Sequence, residues 1–99
     1  MDKKQLPIDK RLINRLHNTL RGLVEGNKGF DFNQIKMNTS YYRLNNHINI
    51  LEVKVKYWEN EYSDQTPPIK FNVTWNIQSI NNANMFDMAN SIYNDYFRE

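Results

Sequence analysis

Two runs of strictly alternating side chains limit what this chain can fold into. In the first, Leu51, Val53, Val55 and Tyr57 fall on one side and Glu52, Lys54 and Lys56 on the other. In the second, Ile69, Phe71, Val73, Trp75 and Ile77 share a side, opposite Lys70, Asn72, Thr74, Asn76 and Gln78. A period of two sends successive side chains to opposite faces, so each run reads as a strand with one buried and one wet face. Residues Trp58 to Pro68 join them, and Pro67-Pro68 interrupts hydrogen bonding before the second run. The stretch from Leu51 to Gln78 therefore predicts a long antiparallel hairpin with a broad apolar face.

The flanking segments supply material to cover that face. Residues 1–8 read as a loose lead-in. Asp9 is a suitable N-cap for a helix from about Lys10 to Val24. Leu12, Ile13, Leu16, Leu20, Leu23 and Val24 form its apolar side, and Gly26 or Asn27 suits its left-handed end. Phe30 to Met37 reads as a strand with a bulge near Asn33-Gln34, followed by a turn at Asn38-Thr39-Ser40. Tyr41 to Leu44 continues as strand, Asn45-Asn46 signals a turn, and the phase change from Ile50 to Leu51 suggests another bulge. Asn81 and Asn82 can cap a last helix from about Ala83 to Phe97, with Met85, Ala89, Ile92 and Tyr96 as its apolar stripe. The fold class expected is α+β: one domain of 99 residues, with an antiparallel sheet of three to four strands and an N-terminal and a C-terminal helix on one face. Its core should contain Leu16, Leu20, Val53, Val55, Phe71, Val73, Trp75, Ile92 and Tyr96.

Composition narrows the function. With no cysteine there is neither a disulfide framework nor a thiolate zinc site. Apolar runs are too short to span a membrane, and no apolar core follows the charged N-terminus, so a cytosolic location is expected. His17 and His47 stand in no metal-ligand spacing, and no phosphate loop, nucleophile elbow or metalloprotease helix motif is present. The expectation is a non-enzymatic protein with no cofactor. Asn occurs 16 times, Ile 9 and Lys 8, whereas Gly and Pro occur 3 times each and Ala twice, a bias toward A/T-rich codons.

Net charge is only +2, but residues 1–28 carry +4 and residues 57–99 carry −4. Local surfaces can therefore be strongly charged. Three candidate contact surfaces emerge. The polar side of the first helix carries Lys10, Arg11, Arg15 and Arg21, which could meet phosphates or an acidic protein. The wet face of the hairpin carries Lys54, Lys56 and Lys70 among amide and hydroxyl side chains. The joining loop carries Glu59, Glu61, Tyr62 and Asp64, without the spacing or glycine of a calcium loop, and suits a protein contact. Each of these can equally be an ordinary solvated surface. Aromatic residues of the hairpin fall in phase with the core, which argues against base stacking on the sheet.

The order helix, strands, helix resembles the double-stranded-RNA-binding domain in topology. That family carries lysines at the start of its second helix. The corresponding stretch here, Asn81-Asn82-Ala83-Asn84-Met85-Phe86-Asp87, has none, so the family's phosphate clamp is not implied. Small phage tail-terminator proteins combine helices and a sheet in a similar way. Size, A/T-rich coding and absence of catalytic motifs are similar in kind to small phage and mobile-element inhibitors, including anti-CRISPR proteins. The leading expectation is thus a binding protein of a phage or mobile element from a low-GC bacterium. It would occupy a host macromolecular surface, more readily a protein or ribonucleoprotein. Direct nucleic-acid binding and a structural or oligomeric role are the alternatives.

Overall fold

The computed structural model describes residues 3–45, 47–59 and 67–98. Strand β1 (Lys3–Gln5) is followed by helix α1 (Lys10–Lys28), a 3-10 turn at Phe32–Gln34, β2 (Ile35–Leu44), β3 (Ile48–Tyr57), β4 (Ile69–Asn76) and α2 (Asn82–Ile92). A π-helical turn, Tyr93–Phe97, extends α2. The strands lie in the order β1-β2-β3-β4, every neighbouring pair antiparallel. Both helices cover one face. Leu16, Leu20 and Val24 of α1 and Met85, Met88, Ala89 and Ile92 of α2 form one cluster with Ile35, Tyr41, Leu51, Val53 and Val55 of the sheet. This is the two-layer α+β arrangement expected; on the opposite sheet face Lys36, Lys54 and Lys70 are exposed while Tyr42 and Glu52 are buried.

Local chemistry explains the element ends. The Asp9 carboxylate accepts the Arg11 backbone N–H at 2.9 Å and starts α1. The helix runs past Gly26 and Asn27 and stops at Gly29, whose φ of 69° favours a residue without Cβ. The Asn81 side chain accepts the Asn84 N–H while Asn84 reaches back to the Asn81 N–H, a reciprocal cap for α2.

Five further local expectations are corrected. The strand expected from Phe30 with a bulge near Asn33-Gln34 begins only at Ile35, after the 3-10 turn Phe32–Gln34. Lys3–Gln5, read as lead-in, is an edge strand paired with Tyr42–Leu44. Its side chains are all exposed, so backbone pairing rather than an apolar pattern holds it. Asn38-Thr39-Ser40 is not a turn: β2 pairs with β3 without interruption from Ile35 opposite Tyr57 to Leu44 opposite Ile48. Asn38 and Ser40 belong to the wet face. Thr39 faces α1, where its hydroxyl shares a hydrogen bond of 2.7 Å with His17 Nε2. Nor is there a bulge at Ile50. The apparent phase change arises because Ile48 and Ile50 lie on the outer face, while Asn49 points inward and is buried. Finally, Tyr96 is 45% exposed and Phe97 is buried in its place. The π turn inserts one residue beyond helical spacing, which rotates Phe97 rather than Tyr96 toward the core.

The core is deepest under β2 and β3. Val53 and Val55 are buried as expected, but Phe71, Val73 and Trp75 of β4 are only partly covered. Full burial of a Leu or Val side chain contributes roughly 1.5–3 kcal/mol, so the centre of the sheet contributes more than its β4 margin.

A candidate polyanion-binding face

The uninterrupted register of β2, β3 and β4 builds the outer face. Lys36 stands directly opposite Lys56, and Lys56 directly opposite Lys70. In the next outward-facing row, Lys54 lies between Asn38 and Asn72. The four lysines and two asparagines rim an open depression of about 460 Å³. Its floor is formed by Met37, Val55 and Phe71, whose side chains belong to the core side of the strands.

This arrangement opposes folding electrostatically. Directly opposed side chains in an antiparallel pair have Cβ atoms only about 4.5–5.5 Å apart, and like charges there are destabilising. Among the described residues, no carboxylate is seen within salt-bridge distance of any of the four lysines. Glu52, the carboxylate that β3 places on this face, lies one row further along and accepts a 2.8 Å hydrogen bond from Asn72 Nδ2. It is 9% exposed. Burial, and then the Glu52 charge, raise the pKa of the neighbouring Tyr42 phenol.

Trp58 borders the patch. The Lys56 Nζ lies 5.6 Å from its ring centroid, within cation–π range. Buried Gln34 fixes this end of β3. Its backbone carbonyl accepts the Trp58 N–H at 2.9 Å, and its side-chain amide donates to the Trp58 carbonyl at 3.1 Å. At the opposite end, Lys3 Nζ sits 4.2 Å from the Tyr42 ring centroid. Inside the sheet, the Tyr41 hydroxyl donates to the Ile77 carbonyl at 3.1 Å and accepts from Asn49 at 3.2 Å, tying the exit of β4 to β2.

The other predicted surfaces fall elsewhere. Lys10, Arg11 and Arg15 are exposed on α1, on the side of the molecule away from the lysine face. The structure therefore does not join the basic helix to Lys54, Lys56 and Lys70. Arg11 is held by Asp9, with its Nη2 donating to the carboxylate at 3.0 Å. Arg21 is half-buried and engaged within the molecule. Arg11 and Arg15 border a second hollow, of about 390 Å³, with Asn14, Asn18 and Thr19. Glu59 is exposed just beyond β3, whereas Glu61, Tyr62 and Asp64 lie outside the described residues. His17 packs over β2 and His47 lies in the turn after it, so the two do not converge. Among the described residues no three His, Cys, Asp or Glu side chains gather as metal ligands, and no helix is long and apolar enough to cross a membrane.

Lys36, Asn38 and Trp58 of the lysine-face site escaped the sequence reading. Lys36 was hidden by the expected break at Asn38-Thr39-Ser40, although it shares the period-two phase of Asn38 and Ser40. Trp58 was assigned to the loop, although it continues the outward phase of Lys54 and Lys56. No family model matches the chain, and no curated protein or solved structure matches it.

Proposed function

We propose that this chain is a non-enzymatic binding protein that occupies the phosphate backbone of a nucleic acid with the outer face of its sheet. The carrying observation is the row Lys36–Lys56–Lys70, in register across three strands and without a carboxylate partner among the described residues. A row of like charges costs stability in the free protein, and a polyanion laid across it removes that cost while releasing its own counterions. Asn38 and Asn72 add neutral amide groups that can hydrogen-bond phosphate oxygens or sugars. The aromatic side chains Phe71 and Trp75 belong to the opposite face, which favours backbone contact over base stacking.

The A/T-rich coding bias suits a phage or mobile element of a low-GC bacterium. In that setting the protein would act in the cytosol as an inhibitor, of the counter-defence or anti-CRISPR kind, by occupying the nucleic acid of a host ribonucleoprotein. A basic protein cleft would repel the lysine face, so the nucleic acid rather than the cleft is the partner this surface fits.

Fluorescence anisotropy with a labelled 20-base-pair duplex at low salt tests the reading. Replacing Lys36, Lys56 and Lys70 together by Gln should weaken binding by more than about tenfold, since each phosphate contact adds to an electrostatic affinity that is largely independent of sequence. Arg15→Gln, on the other side of the molecule, should change it little. Absence of binding by the parent chain, or equal losses from both sets of changes, would refute the assignment.

A further inference from the structure

The lysine face ends at β4, and β4 ends the sheet. Among the described residues no strand covers its outer edge. The Ile77 N–H donates to the Asn49 carbonyl. In an antiparallel ladder the N–H and C=O of one residue point to the same neighbour, and those of the next residue point away. The backbones of Ile69, Phe71, Val73 and Trp75 therefore face β3. Those of Lys70, Asn72, Thr74 and Asn76 face outward. An exposed edge of this length is normally guarded by edge lysines, proline, a bulge or inward charge. Residues Ile69–Asn76 contain no proline, bulge or inward charge, and Lys70 is their single guard.

We propose that this edge pairs with the same edge of a second copy, antiparallel and about a two-fold axis at Val73. Only this register pairs all four outward-facing residues, Asn72 with Thr74 and Lys70 with Asn76 of the second copy, each pair twice. A shift by one step in either direction pushes one end of the ladder onto Pro68 or beyond the strand. The same register sets Val73 against its own copy and Phe71 against Trp75 on the inner face, where these side chains are half-buried in the single chain. Tyr96, stacked on Phe71 at 3.9 Å and 45% exposed, would receive the arriving Trp75 ring. It also opposes Lys70 to a neutral asparagine and not to another lysine. A second copy is thus a charge-compatible occupant.

The product is one continuous eight-stranded sheet. Because the axis runs through the sheet, both lysine faces lie on the same side, with the two Lys70 residues roughly 20 Å apart along the strands. The edge pairing stands whether or not the lysine face binds nucleic acid.

Sedimentation equilibrium of the full chain from about 1 to 100 μM tests the proposal, with three variants. The parent should approach twice the 11.9 kDa chain mass. Thr74→Pro removes an outward N–H that plays no part in pairing with β3, so the fold should persist, checked by circular dichroism, and the dimer should be lost. Asn76→Lys places a lysine opposite Lys70 twice per dimer, and Asn76→Glu places a carboxylate there. The two should differ in dimer dissociation constant by about tenfold or more, Glu being tighter. A parent that stays monomeric throughout the range overturns the proposal. So does a dimer indifferent to Thr74→Pro, or one in which Asn76→Lys and Asn76→Glu behave alike, since either places the contact elsewhere.

Discussion

His17 sits against the sheet, half-buried, with its ring 2.7 Å from the Thr39 hydroxyl. Burial, and then the nearby Arg21 charge, lower its pKa below the ordinary 6.5. The folded state therefore takes up a proton on this ring less readily than the unfolded chain. The contribution is fully present above pH 6.5 and is lost as pH falls through that value toward the lower folded pKa. The melting temperature should drop between pH 7.5 and 5.5, and His17→Gln, which keeps a polar group near Thr39, should flatten that drop. Equal pH dependence in the two proteins would remove His17 as the cause. The place of His17 within the first helix was legible from spacing. Its partner was not, because Thr39 stands in a polar triplet that resembles a turn until the whole β2–β3 ladder is seen.

At the scale of elements, the strands with clean alternation were the most legible. β3 and β4 have side-chain phases that follow directly from their sequence, and they pair residue for residue from Ile50–Asn76 to Tyr57–Ile69. β1 was illegible because three exposed polar residues carry no apolar pattern. The end of α2 misled for a different reason: a π turn is an insertion in backbone hydrogen bonding, and nothing in apolar spacing announces it. Its consequence is measurable by denaturation. Phe97, 4% exposed and packed near Phe30, Tyr57 and Phe71, should lose about 3–5 kcal/mol on replacement by Ala. Tyr96→Ala should cost about 1–2 kcal/mol, chiefly the stack on Phe71. The reverse ranking would show that regular helical spacing continues to Phe97. A charge at fully buried Val53 should abolish folding, whereas at partly exposed Val73 part of it can reach water.

For the molecule as a whole, segment charge was a poor guide to where positive potential gathers. The basic excess of residues 1–28 suggested α1, yet there Arg11 is held by Asp9 and Arg21 is engaged internally. The lysines that converge come from three different strands and are separated by up to 34 positions in sequence, from Lys36 to Lys70. Only strand register brings them together, and that is why the outer face was foreseen with three lysines and not four. The most direct test of the central claim is the salt dependence of duplex binding in the parent and in Lys56→Gln. Lys56 lies at the middle of the row, so its removal should take away one phosphate contact and leave the fold intact. The plot of log affinity against log salt should have a slope of up to about −3.6 in the parent, for four lysines at about 0.9 each, and be shallower by about 0.9 in the variant. A slope near zero in the parent, or the same slope in both, would contradict a phosphate-binding lysine face.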